Sequence, residues 1–170
     1  LLSASYENRD LAGSMLSAML YGRDNYVRFV PSDSRSNINR GNFVDQVMQN
    51  NKVFGGRLTI TTPLGKDKHT KLVWGADYIR ERSNMPLDTF DAVTYDASGG
   101  LVFRRTGQRT YMPWVTVKSA GAFGQLQHRF NDQWSVEGGL RYEKSQASFD
   151  DFQPLSQSRL ANPATVAGGK

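Results

Sequence analysis

The sequence predicts an all-β protein: about six antiparallel strands forming a segment of the wall of a larger transmembrane β-barrel. Three observations point there. Side chains alternate in polarity with a period of two along several stretches, which puts neighbours on opposite faces of a strand. Short polar turns alternate with long loops, the rhythm of barrels with short periplasmic turns and longer extracellular loops. No run approaches the roughly 18 apolar residues of a membrane-crossing helix, and the mean hydropathy of -0.54 fits a wall in which every second residue faces lipid.

The elements follow in chain order. Asn8-Arg9-Asp10-Leu11-Ala12-Gly13 reads as the first short turn. Segment 14–29 reads two ways. Leu11, Met15, Ala18 and Met19 fit a helical stripe, but the aromatic-rich run from Tyr21 to Phe29 favours a strand. A long loop is expected at about 31–42. In 53–62, Phe54, Leu58 and Ile60 oppose Arg57, Thr59 and Thr61. A polar turn follows at 63–69. In 71–81, Leu72, Trp74, Ala76 and Tyr78 share one face; Lys71, Gly75, Asp77 and Glu81 share the other, with Val73 and Ile79 as exceptions.

The next long loop is expected at about 84–112. In 119–130, Ala120, Ala122, Leu126 and Phe130 oppose Gln125, Gln127 and Arg129, with Phe123 on the polar side and His128 on the apolar side. Asn131-Asp132-Gln133 turns the chain into the clearest strand, 134–143. There Trp134, Val136, Gly138, Leu140 and Tyr142 oppose Ser135, Glu137, Gly139, Arg141 and Glu143. A third long loop is expected from 153 onward. Trp134 and Tyr142 are spaced as aromatic girdles at the two edges of an apolar band would be.

Several classes of function are disfavoured. The formal charge is +5, but the basic residues are scattered among acids. Arg104-Arg105 and Arg80-Glu81-Arg82 are the densest groups, so no nucleic-acid partner is expected. The absence of cysteine excludes a disulfide scaffold and thiolate chemistry without identifying a compartment. His69 and His128 have no spaced partners for a metal site or a triad. Asp150-Asp151, read as strand neighbours, would point to opposite faces. Gly99-Gly100 and Gly138-Gly139 lack the Lys-Ser/Thr that completes a phosphate loop. No catalytic residue, no metal-ligating residue and no enzyme activity are expected.

Leu72-Val73-Trp74-Gly75-Ala76-Asp77-Tyr78 with Arg80-Glu81, Gly121-Ala122-Phe123-Gly124-Gln125-Leu126-Gln127, and Trp134-Ser135-Val136-Glu137-Gly138-Gly139-Leu140-Arg141-Tyr142-Glu143 resemble, in order and spacing, barrel strands of TonB-dependent siderophore receptors. Gly55-Gly56-Arg57-Leu58 and Thr62-Pro63-Leu64-Gly65 resemble them too. The resemblance covers roughly 43–150, with 1–42 compatible. Pro86 to Asp91 and Asp96 to Arg104 further resemble the ferric-aerobactin-type branch.

That resemblance implies a bacterial outer-membrane receptor that binds and imports a ferric siderophore with TonB-transduced energy. Such transporters have about 22 strands and a plugged lumen, so residues 1–170 are expected to be a partial barrel domain from a longer protein, without the plug domain. The implied partners are the ferric siderophore, the TonB complex through the plug, and outer-membrane lipid. No cofactor is implied, because ferric iron enters as the siderophore complex.

Two groups of residues are candidates for function. Arg57, Asp77, Glu81, Glu137, Arg141 and Glu143 would line the lumen by the resemblance, and opposite charges across strands there would also hold register. Phe103, Arg104, Arg105, Arg109, Tyr111 and Trp114 are candidates for ligand binding, since aromatic rings and guanidinium groups hold anionic chelates by stacking and charge-assisted hydrogen bonds. The plainer reading is a loop packing its own aromatics, with Asp88, Asp91 and Asp96 balancing its arginines. Loop 31–42, with Asp33, Arg35 and Arg40, reads as solvated.

The rival architecture is a soluble β-sandwich serving adhesion or interaction. It would bury the face carrying Leu72, Trp74, Leu140 and Tyr142 against a second sheet; a barrel turns that face outward.

Overall fold

Ala12 and Gly13 reverse the chain with positive φ angles of 52° and 78°, the conformation that lets a two-residue hairpin match the twist of its strands. In this computed structural model, which describes residues 1–37, 43–65, 69–155 and 164–170, that turn joins β1 (Leu2–Leu11) to β2 (Ser14–Arg28). Their antiparallel register pairs Ala4 with Leu20 and Tyr6 with Ala18 on one face, and Ser3 with Tyr21 and Ser5 with Met19 on the other. The helical alternative for 14–29 is thereby excluded.

The remaining elements are β3 (Ser32–Asp33), β4 (Val44–Leu64), β5 (Thr70–Phe90), α1 (Ala92–Ala97), β6 (Arg105–Arg129) and β7 (Ser135–Phe149). All described strands belong to one sheet, ordered β1-β2-β4-β5-β6-β7, with the two-residue β3 pairing on β4. At 21, 21 and 25 residues, β4, β5 and β6 exceed the roughly 9–11 residues that cross a bilayer.

The expected loop at 84–112 is corrected. β5 continues to Phe90 and β6 begins at Arg105, so the connection is 91–104 and carries α1. Leu87, Asp88 and Thr89 are all buried, which erases the alternation that marks a half-buried strand. The strand also tolerates Pro86, which donates no backbone hydrogen bond. The Asp150-Asp151 reading is corrected as well. β7 ends at Phe149, and the chain beyond it folds back through bridges Phe149–Gly169 and Phe152–Val166. Arg40 and residues 66–68 of the second turn lie outside the described residues.

The long strands pass through two compact units. The first comprises Leu1–Arg23, Val53–Glu81 and Val117–Gln146. It is a single layer whose apolar face is open: Trp134, Leu140 and Tyr142 are 69%, 87% and 74% exposed, and Leu20, Phe54, Leu58, Trp74 and Tyr78 are exposed with them. A sandwich would have covered these residues. A contiguous apolar surface of this kind calls for an apolar surrounding.

The second unit comprises Asp24–Lys52, Arg82–Thr116 and Ala147–Lys170. It has a small core in which Val47, Leu87 and Leu155 are buried together, with Met85 packed against them. Asp91 caps α1 by accepting the Thr94 N–H. Gly99 and Gly100 leave the helix at φ 65° and 84°.

Candidate functional site

On the polar face of the first unit, period-2 geometry sets Arg57 on β4, Asp77 on β5 and Arg141 on β7 on the same side of the sheet. Arg141 donates from Nη1 and Nη2 to Oδ2 and Oδ1 of Asp77 at 2.7 and 2.8 Å. Arg57 adds a longer contact of 3.7 Å to the same carboxylate. Arg141 also meets Glu143 at 3.0 Å, and Glu143 accepts the Ser119 hydroxyl at 2.6 Å. Four of the six residues expected on this face thus form one connected network.

Glu137 lies apart from that network, accepting from Gln125 at 3.1 Å. Glu81 stands four residues beyond Asp77 on β5 and so on the same face. Phe123, the apolar exception on this side, lies 5.2 Å under the Arg57 guanidinium. Its ring covers Gly75, where an added Cβ would come within 3.0 Å of it.

The opposite face carries its polar groups near the short turns. Thr62 accepts from Ser14 at 3.1 Å and from the Trp74 indole at 3.3 Å. His128 is hydrogen-bonded to Thr70 at 2.7 Å and set edge-on to Phe130 at 4.5 Å. These contacts account for a histidine on the apolar side.

In the second unit, the candidate ligand residues divide. Phe103 and Arg104 lie in the connection before β6; Arg105, Arg109, Tyr111 and Trp114 lie on β6. Phe103 packs against Phe90 and Tyr95, each with ring centroids 5.4 Å away. Arg104 meets Asp91 at 3.3 Å, and Arg105 meets the buried Asp88 at 2.9 Å. Trp114 lies 4.5 Å beneath Arg82, which also pairs with Asp150 at 3.0 Å. These four residues are occupied within the protein.

Arg109 differs. Among the described residues its side chain makes no ion pair or hydrogen bond, and it lines a cavity of about 300 Å³ with Gln108, Thr110, Asp151, Phe152 and Leu155. Tyr111, two residues on and therefore on the same face of β6, lines an open cavity of about 310 Å³ with Phe29, Val30, Ser32, Val47 and Met85. The sequence offers no sign that the chain beyond β7 returns to form a wall of the Arg109 cavity.

Loop 31–42 holds a contact that its composition did not reveal. Arg35 bridges Asp33 at 2.6 Å and Asp96 of α1 at 2.7 Å, and its guanidinium lies 5.7 Å from the Tyr95 ring centre. Hydrogen bonds from the Arg35 side chain and backbone N–H lower the Asp33 pKa from 3.8 to about 2. The Arg35 hydrogen bond also lowers Asp96. Asp91 is lowered by the Thr94 hydroxyl and backbone N–H, then by Arg104.

The chain matches the family model described as TonB dependent receptor-like, beta-barrel, over residues 2–166. It is 26% identical over 171 residues to the ferric aerobactin receptor of Klebsiella pneumoniae, covering 100% of this chain and 22% of that protein. It is 27% identical over 170 residues to the ferric aerobactin receptor of Escherichia coli, covering 98% and 23%. To the rhizobactin receptor of Rhizobium meliloti (strain 1021) it is 23% identical over 176 residues, covering 100% and 23%. The chain therefore spans about a quarter of the length of these relatives. Among solved structures it is similar in fold to the copper transporter OprC, with a TM-score of 0.69, 16% identity, and coverage of 98% of this chain and 25% of that one.

Proposed function

Since the chain belongs to the TonB-dependent receptor-like β-barrel family and is a stretch of outer-membrane barrel wall, we propose that the receptor containing it binds a ferric siderophore and imports it with energy supplied through TonB. The family is one of receptors and transporters rather than enzymes. The exposed apolar face of the first unit meets lipid, and the Asp77–Arg141–Glu143 face lines the lumen and meets the plug. The TonB contact belongs to that plug, and iron enters as the chelate rather than as a resident cofactor.

The observation that carries the ligand reading is Arg109, a guanidinium without a carboxylate partner among the described residues, set in a cavity beside Gln108 and Thr110. A charge-assisted hydrogen bond from such a group contributes about 1.5–3 kcal/mol. Arg104 and Arg105 already hold Asp91 and Asp88, so they shape the loop more than they grip ligand.

The test is titration of the intact receptor with ferric aerobactin, the ligand named for two of the relatives. Arg109→Ala should weaken binding about tenfold, as the loss of one such bond implies. Arg104→Ala with Arg105→Ala should weaken it less. Absence of binding, or unchanged affinity in Arg109→Ala, would overturn the assignment. Uptake of radiolabelled iron should stop in cells lacking TonB.

A further inference from the structure

The two faces of the first unit differ in how their charges are arranged. Asp77 and Glu143 belong to the Arg141 network, and Ser119 donates to Glu143. Residues 77, 119 and 143 therefore share the lumen face, and their immediate neighbours share the other. On that other face, positions 54–64 of β4, 70–80 of β5, 118–130 of β6 and 134–146 of β7 carry no Asp or Glu. They carry three cations, Arg80, Lys118 and Lys144, one on each of β5, β6 and β7. All three are exposed, and among the described residues none makes an ion pair or a side-chain hydrogen bond. The lumen-face arginines differ: Arg57 and Arg141 both meet carboxylates.

The three cations gather at one end of the apolar band. Gly121 lies beside Asp77, where an added Cβ would stand 3.2 Å from Oδ1, and Ser119 meets Glu143 at 2.6 Å. These contacts align the strands so that Arg80, Lys118 and Lys144 hold neighbouring positions, about 5–8 Å apart at Cβ. Arg80 follows Tyr78, and Lys144 follows Tyr142, on the same face. From Trp134 to Lys144 the strand runs about 33 Å, or about 25 Å of depth at the usual tilt, the height of a barrel's apolar band. The patch thus stands at the membrane surface away from the short turns, which in such barrels is the outer one. Like charges side by side on adjacent strands repel, and here no carboxylate offsets them. Further strands of a barrel join at the sheet's edges and a plug fills its inside, so neither covers this face.

We propose that Arg80, Lys118 and Lys144 bind the phosphates of a multiply phosphorylated glycolipid in the outer leaflet, whose acyl chains lie along the apolar face over Ala120, Ala122 and Leu140. Three adjacent cations match a headgroup with more than one phosphate better than a zwitterionic or singly charged one. This rests on the lipid-face reading and adds to it a lipid class and the side chains that hold it.

The test titrates the intact receptor in detergent with bisphosphorylated lipid A, with the same lipid stripped of both phosphates, and with phosphatidylglycerol. Bound lipid is counted by native mass spectrometry. Lipid A should bind about tenfold more tightly than either of the others. Arg80→Gln, Lys118→Gln and Lys144→Gln should each weaken lipid A about fivefold, the scale of one cation beside an anionic surface. The triple variant should bind lipid A and its phosphate-free form alike, with an unchanged unfolding midpoint showing that it is folded. Lys71→Gln, which removes a charge from the lumen face, should leave lipid A binding unchanged. Equal binding of the two forms of lipid A by the wild type, or a preference that survives the triple variant, would overturn the headgroup proposal alone. Phosphatidylglycerol bound as tightly as lipid A would overturn the multiply phosphorylated class. Trp74 and Trp134 left unquenched by brominated acyl chains would overturn the lipid face and the proposal together.

Discussion

Arg141 on β7 reaches across β6 to hold Asp77 on β5 through two parallel hydrogen bonds of 2.7 and 2.8 Å. It passes over Gly121, where an added Cβ would lie 2.6 Å from its Nη2. The glycine therefore leaves room for a tie between strands that are not neighbours. Gly121→Ala should displace the guanidinium and cost about 1 kcal/mol, the scale of a partly exposed bidentate pair. Arg141→Ala should cost little more in the Gly121→Ala background. Unfolding in urea of the four members of this cycle checks the coupling; simple additivity would show that the two residues act separately.

Gly75 is more restrictive. A Cβ there would stand 2.0 Å from the Leu58 carbonyl oxygen, a backbone atom that cannot swing away. Gly75→Ala should cost about 3 kcal/mol, at the upper end for forcing an atom into packed structure. Gly138→Ala, with nothing within 4 Å of the new Cβ, should stay within about 0.5 kcal/mol of the wild type. Unfolding midpoints of the intact receptor in detergent give both values.

The Arg35 junction should open in acid. Asp33 has a folded pKa of about 2 against an ordinary 3.8, and Asp96 is also lowered. A depressed carboxylate contributes stability that is complete above its unfolded pKa and lost as the pH falls through its folded one. Hydrogen-exchange protection of residues 33–37 and 92–98, corrected for the intrinsic rate at each pH, should hold from neutrality to about pH 4. It should then decline toward pH 2. Arg35→Ala should remove the protection at neutral pH and flatten this pH dependence; protection insensitive to the substitution would contradict the ion-pair origin.

The apolar face should report its surroundings through tryptophan. In the receptor reconstituted with lipids brominated on the acyl chain, Trp74 and Trp134, both exposed on that face, should be strongly quenched when each is retained with the other two tryptophans of this chain changed to phenylalanine. Trp114, stacked under Arg82, should be quenched less. Equal quenching of all three would argue against the assigned lipid face.

The sequence by itself determined the all-β class and which residues share a face along 53–62, 71–81 and 134–143. That was possible because strand geometry is local: side chains two apart must point the same way, and one exposed apolar face leaves its period in the residue order. It also placed Asp77, Arg141 and Glu143 on one face, though not in one network. Only the tertiary structure decided where β5 ends and β6 begins, because burial of Leu87, Asp88 and Thr89 together removes the period. Tertiary contacts also separated the arginines. Arg104 and Arg105 find carboxylates at Asp91 and Asp88, while Arg109 faces a cavity completed by Phe152 and Leu155 from beyond β7. Three nearby arginines carry the same charge in the sequence; their different surroundings come from residues distant along the chain, and those surroundings separate a structural ion pair from a candidate ligand contact.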